Sequence, residues 1–133
     1  MGPTDRTTHQ LDVDPTASAS RDARRWLHEI LDTEGVVDRD GTVALLTSEL
    51  VTNAVLHART SAIVLVEQRD GCVRVSVKDQ SAALPVMRDA PHESATGRGL
   101  AIVDALSDRW GFDVVAGGKV VWFELTTLDG DSS

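Results

Sequence analysis

Hydrophobic and polar positions alternate with two different periods along this chain, and the changes of period mark its elements. Leu11-Asp12-Val13 alternates before Pro15 interrupts it, which predicts a short edge strand. From Ala19 to Leu31 the apolar residues Ala23, Trp26, Leu27 and Ile30 recur at helical spacing, while Arg21, Arg24 and Arg25 fall on the solvated side. Thr16 or Ser18 supplies an N-cap for this helix and Gly35 marks its end. After the turn Asp38-Arg39-Asp40-Gly41, with Asp40 as the next N-cap, Thr42 to Ala58 forms the longest helical stretch. Leu45, Leu46, Leu50, Val51, Ala54 and Val55 make it apolar around most of its circumference, so it is buried on more than one side.

The period then drops to two. Thr60 to Gln68 and Cys72 to Lys78 are rich in β-branched residues, and Val73, Val75 and Val77 alternate with Arg74, Ser76 and Lys78. Arg69-Asp70-Gly71 between them reads as a hairpin turn. Gln80 to Thr96 has no period and carries Pro85 and Pro91, a loop long enough to be a functional lid. Gly97 to Trp110 is predicted helical, with Leu100, Val103 and Leu106 on one face and Gly111 as the stop. Phe112 to Ala116 and Lys119 to Thr126 form a second hairpin over Gly117-Gly118. The order β-α-α-β-β-loop-α-β-β implies an α+β fold, a two-layer sandwich whose mostly antiparallel, mixed sheet carries helices on one face. Residues 1–7 are expected to form a flexible N-terminal segment, 8–127 one domain and 128–133 a polar tail.

Composition narrows the function classes. With 133 residues, 41% of them hydrophobic, the chain supports a single core of ordinary globular type. Its formal charge of −8 opposes binding to nucleic-acid backbones or anionic membranes, which depends on clustered cations. Neither nucleic acid nor membrane is therefore an expected partner. Cys72 stands alone, so no disulfide forms within the chain, and Met1 to Gln10 lacks the apolar stretch of a secretory signal. A cytoplasmic location fits both features.

Three short motifs carry candidate chemistry. Glu49 and Asn53 are four residues apart and share one face of a largely apolar helix. A carboxylate there needs a partner, and an Asn one turn away offers a neutral oxygen of the kind Mg²⁺ accepts beside phosphates. Asp79 closes the alternating strand where the long loop begins, positioned to accept a hydrogen bond from an exocyclic amine. Gly97-Arg98-Gly99-Leu100 opens a helix, and glycines at a helix N-terminus present backbone N–H groups to an anion. No Gly-Lys-Ser/Thr follows and no strand immediately precedes it, which sets aside the P-loop and the dinucleotide fold. His57 lacks a second His or a Cys at ligand spacing, so zinc is not indicated, and Ser48 and Ser81 lack a nucleophile elbow.

In series, Ser48–His57, Val77-Lys78-Asp79 and Gly97–Asp104 resemble the ATP-binding domain shared by histidine kinases, type II topoisomerases, a heat-shock chaperone class and mismatch-repair proteins. Within this GHKL superfamily the sequence is most similar to small bacterial anti-sigma-factor serine/threonine kinases, over roughly residues 8–126. The resemblance implies that Asn53 coordinates Mg²⁺ on the ATP phosphates and Asp79 reads the adenine amino group. It implies that backbone groups around Gly97, Arg98, Gly99 and Leu100 hold the phosphates while the Gln80–Thr96 loop closes as a lid. Glu49 would be the general base for a Ser or Thr hydroxyl on an anti-anti-sigma partner of STAS type. A sigma factor is the second implied partner, and a homodimer the implied assembly.

This sequence departs from the family pattern on the adenine side. Ser81 and Ala83 stand where glycines usually follow the Asp, and a Thr that supports the adenine-side hydrogen bonds appears as Val120. These departures motivate a second reading, in which the same fold sequesters a partner with little or no catalysis. The catalytic half of a two-component histidine kinase is disfavoured, since no helix pair bearing a phosphoacceptor His is visible.

Overall fold

A computed structural model describes residues 7–57, 59–81 and 95–127. Five strands and three helices follow in the expected order: β1 (Thr7–Val13), α1 (Ala19–Glu34), α2 (Thr42–Thr52), β2 (Ala62–Arg69), β3 (Cys72–Asp79), α3 (Ala95–Leu106), β4 (Arg109–Val115) and β5 (Gly118–Thr126). The sheet runs β1-β2-β3-β5-β4. Every pairing in it is antiparallel, so the mixed character expected from sequence is absent among the described strands. The α+β two-layer sandwich stands. Residue 7 is already paired with Gln68, one position before the expected domain boundary, and the tail from Leu128 lies outside the described residues. No helix among the described residues is long and apolar enough to cross a membrane.

Alternation decides which face of each strand is covered. Val73, Val75 and Val77 of β3, with Val64 and Val66 of β2 and Phe123 of β5, bury their side chains in the core. Leu27 from α1, Leu46, Leu50 and Val51 from α2, and Leu100 and Val103 from α3 complete it. The opposite face has no helical layer among the described residues. There Arg74 lies over the Trp122 ring at 4.0 Å and shares the Glu124 carboxylate with Arg109. Burial pushes Glu124 up, but the Arg109 and Arg74 guanidiniums outweigh it and hold the carboxyl below its usual range. Burial, with Glu124 nearby, pushes the Cys72 thiol up and makes it a poor nucleophile.

The local corrections are instructive. Gly35 ends α1 in the left-handed conformation, with φ of 71°, as expected. Ser18 occupies the N-cap position but makes no side-chain cap bond; its hydroxyl donates instead to Asp22 Oδ2 at 2.9 Å. Asp40 does not cap α2. Its φ is 59°, Gly41 takes the N-cap position, and the Asp38 carboxylate accepts the first free N–H groups, from Val43 at 2.8 Å and Ala44 at 3.0 Å. We therefore expect Asp38→Ala to cost about 1–2 kcal/mol of folding stability and Asp40→Ala much less, measured by urea titration. Leu45 also differs from expectation, being 41% exposed.

The predicted helix from Gly97 to Trp110 is displaced at both ends. It starts at Ala95 and stops at Leu106, where the Ser107 backbone N–H and hydroxyl both donate to the Val103 carbonyl, at 2.9 and 2.7 Å. Gly111 is a strand residue, opposite Trp122, and an added Cβ there would lie 2.9 Å from the indole. It makes room for a ring; it does not end a helix.

Candidate functional site

Helix α2 leads to the site and changes character as it arrives. After Thr52 the chain widens into a π turn, Asn53–His57, so the regular helix ends earlier than the predicted Ala58. Such widened turns add a residue to the cycle and re-aim side chains, and they occur often at functional positions. Asn53 begins it. Its own N–H still bonds back to the Glu49 and Leu50 carbonyls, which fixes its backbone to the last α turn. Beside it, the Ser20 and Thr52 hydroxyls are 2.6 Å apart and tie α1 to the end of α2.

The π turn packs against both β3 and α3. It thereby joins the three motifs that are distant in sequence. Thr60 completes the link: its N–H donates to the Ala54 carbonyl at 3.4 Å, and its hydroxyl accepts the Gln80 N–H at 3.2 Å. The first part of the π turn, at Ala54, is thus linked through Thr60 to the residue following Asp79. From sequence Thr60 reads only as the first residue of a strand, which in fact begins at Ala62, and nothing in the local pattern announces its bridging role.

Asn53 is half-buried, and its Oδ1 is shut off from solvent with no hydrogen-bond donor among the described residues. An unpartnered buried amide oxygen carries a desolvation cost, on the order of 1–3 kcal/mol. A hard cation relieves that cost, and Mg²⁺ takes such oxygens while keeping phosphates and waters as its other ligands. The residues present fit this use, because the buried Asn53 oxygen offers one neutral donor and leaves the other positions of such a cation to phosphates and waters. Glu49 is half-buried one turn earlier on the same helix face.

Asp79 is 4% exposed and lies on the helix-facing side of the sheet, in line with Val75 and Val77. Its carboxylate is already engaged. Lys119 Nζ donates to Oδ1 at 3.1 Å and to Oδ2 at 2.9 Å, and the Ser81 N–H donates to Oδ1 at 2.8 Å. Ser81, at one of the expected glycine places, thus braces the Asp through its backbone; Ala83 lies outside the described residues. Val120 sits opposite Lys78, and the alternation of β5 turns it to the outer face, away from Asp79. It therefore does not replace an adenine-side Thr. The residue cross-strand from Asp79 is Lys119, itself 8% exposed.

The start of α3 also differs from expectation. By the counting that pairs the Asp22 N–H with the Ser18 carbonyl in α1, the free N–H groups among the described residues of α3 are those of Ala95, Thr96 and Gly97, whereas those of Arg98, Gly99 and Leu100 fall within the helical hydrogen-bond ladder. Leu100 is 1% exposed and packs in the core. Its side chain is structural. The side chains of His57 and Arg98, and the lid from 82 to 94, lie outside what the structure describes. An open cleft of about 730 Å³ at the strand ends reaches Asp79, but Asp12 and Asp14 line it too, with Lys78 as its cation. Three carboxylates make that cleft unsuitable for a triphosphate, and neither Glu49 nor Asn53 reaches it.

The histidine kinase-like ATPase domain family matches residues 13–125, which spans all three motifs. The chain belongs to that family. The structure of this histidine kinase-like ATPase domain is similar to the crystal structure of the RsbU and RsbW domains of Rv1364c from Mycobacterium tuberculosis, with a TM-score of 0.69 and 26% identity. The similarity covers 91% of this chain and 32% of that one, so the chain spans less than a third of the solved protein. No curated protein matches the sequence. Family membership implies an ATP-binding, kinase-like domain.

Proposed function

We propose that this domain is a Mg·ATP-dependent protein serine/threonine kinase acting as an anti-sigma switch. The observation that carries the reading is Asn53: a buried amide oxygen without a donor, held on a π turn that packs against both the Asp79 strand and the helix bearing Gly97 and Gly99. Asn53 would hold the phosphate-bound magnesium, and the first free N–H groups of α3 would hold the phosphates. Asp79 accepts a hydrogen bond from the adenine amine. Glu49 would take the proton of a partner Ser or Thr hydroxyl as that oxygen bonds to the γ-phosphorus, while the bond to the β–γ bridging oxygen breaks and ADP leaves. Phosphoryl transfer requires mainly positioning and neutralisation of charge, so this sparse set suffices. The similarity to the RsbU and RsbW domains of Rv1364c supports a partner-binding regulatory role. An anti-anti-sigma protein of STAS type as substrate, a sigma factor as the sequestered partner and a homodimer as the working form complete the proposal.

The test is phosphate transfer from ATP to the anti-anti-sigma proteins of the source genome. Glu49→Gln is expected to leave Mg·ATP affinity within about threefold of wild type while lowering the transfer rate about 10²–10⁴-fold. Transfer unchanged in this variant would remove Glu49 from the base role. A second reading, the same fold as a partner-sequestering module without catalysis, draws on the engaged state of Asp79. It predicts partner binding that is identical with and without nucleotide.

A further inference from the structure

The Lys119–Asp79 pair is not required by the proposed chemistry, and both members are nearly enclosed, with side chains 10% and 5% exposed. Burying two charges is costly unless geometry and further hydrogen bonds compensate. The pair owes its geometry to Gly118, whose backbone lies so close to Asp79 that β5 must start at this point of β3, placing Lys119 directly across from it. An ammonium has three N–H donors and a carboxylate about four acceptor positions. Lys119 has only the two Asp79 oxygens as acceptors among the described residues, and Asp79 receives three hydrogen bonds, two from Lys119 and one from Ser81. Among the described residues this leaves one open donor on Nζ next to one open acceptor position on Oδ2.

A lone carboxylate is an acceptor–acceptor group and suits an edge with two donors. An adjacent acceptor and donor suits an edge that offers a donor beside an acceptor, which is the arrangement of the adenine amine and ring nitrogen N1. We infer that Lys119 is a base-reading residue: it donates to N1 of adenine while Asp79 accepts from the exocyclic amine. This rests on the nucleotide reading given above and adds to it a specificity determinant outside the three motifs. Hypoxanthine reverses both positions, carrying an oxygen where the amine was and an N–H at N1, so the pair meets like with like at each contact. Such a mismatch leaves buried polar groups unpaired, the strongest source of discrimination between similar ligands.

The test changes the ligand first, so that it needs no altered protein. Isothermal titration of the wild-type chain compares Mg·ATP with Mg·1-deaza-ATP, in which N1 is replaced by C–H. We expect the analogue to bind about tenfold weaker or worse, since it removes the acceptor for a charged donor. Lys119→Met, checked for folding by circular dichroism, should bind the two nucleotides alike and ATP more weakly than wild type does. Equal affinity of wild type for both nucleotides would overturn the role of Lys119 and leave ATP binding intact. Tighter ATP binding by Lys119→Met would also overturn it, identifying the lysine as a plug on Asp79. If wild type binds neither nucleotide, the nucleotide reading falls, and this assignment with it.

Discussion

Gly118→Ala should lower the melting temperature by about 10 °C or more, equivalent to roughly 3 kcal/mol or more at this chain length. A Cβ on Gly118 would stand 1.9 Å from the Asp79 carbonyl oxygen and 2.9 Å from Gln80 Cα. Both are backbone atoms, so no side chain can rotate away, and relief requires parting β3 from β5 in the middle of the sheet. That parting disturbs the register that sets Lys119 against Asp79 and carries Phe123, the largest fully buried side chain, opposite Val75. The neighbouring Gly117 is the control. It has φ of +81° and nothing within 4 Å of an added Cβ, so Gly117→Ala meets only the cost of a left-handed backbone, about 1–2 kcal/mol. Scanning calorimetry of the two variants separates close approach from turn conformation. A Gly118→Ala protein melting within about 3 °C of wild type would contradict the approach of the strands.

The same contrast explains what the sequence could reveal. Val73, Val75 and Val77 announce a half-covered strand, and Asp70-Gly71 a tight turn, because each rule operates within a few residues. The spacing of Ala23, Trp26, Leu27 and Ile30 likewise predicts α1, whose arginines 21, 24 and 25 are exposed as expected, although Leu31 is buried while Trp26 and Ile30 are only partly so. The Gly117-Gly118 pair reads as a hairpin turn, and it is one. Its second glycine also serves β3, forty residues away in sequence order, and no local rule contains that pairing. Because β5 enters the sheet between β3 and β4, Lys119 meets Asp79 through a non-sequential register. The sequence places Val120 where the family carries a Thr, and the register instead turns it to the outer face, because a shift of one residue turns a strand side chain to the other face.

Helix boundaries were misread where two local signals competed. Arg109 and Trp110 continue an apolar helical pattern after Leu106, but Trp110 instead packs with the core from β4 and donates its indole N–H to Asp104 Oδ1 at 2.8 Å. Asp38 and Asp40 are equally good caps by composition, and only the left-handed turn at Asp40 and Gly41 decides between them. The site is legible in part. Glu49 and Asn53 stand out as polar residues one turn apart on an apolar helix, yet the π turn that begins at Asn53 and packs against β3 and α3 has no signature in the helical spacing.

Asn53→Ala is expected to weaken Mg·ATP binding by about 100-fold or more while leaving the unliganded domain as stable as wild type, or more stable by about 1 kcal/mol. The two effects have opposite signs for one physical reason. Without a cation, the Asn53 oxygen is a buried acceptor with no donor among the described residues, and removing it relieves a desolvation cost. Alanine also favours helical backbone over asparagine by roughly 0.5 kcal/mol or slightly more. With Mg·ATP present, the same oxygen is the ligand that pays for its burial. A residue kept for folding would behave otherwise: its loss would lower stability and change affinity little. Paired measurements on one sample, a urea midpoint without nucleotide and a titration with Mg·ATP, therefore decide between the roles. Repeating the titration with EDTA isolates the metal's share, since wild type should then fall to the affinity of the variant. A variant that is less stable by more than about 1 kcal/mol and still binds Mg·ATP as wild type does would make Asn53 a structural residue, and the proposed kinase site would lose its metal-binding group.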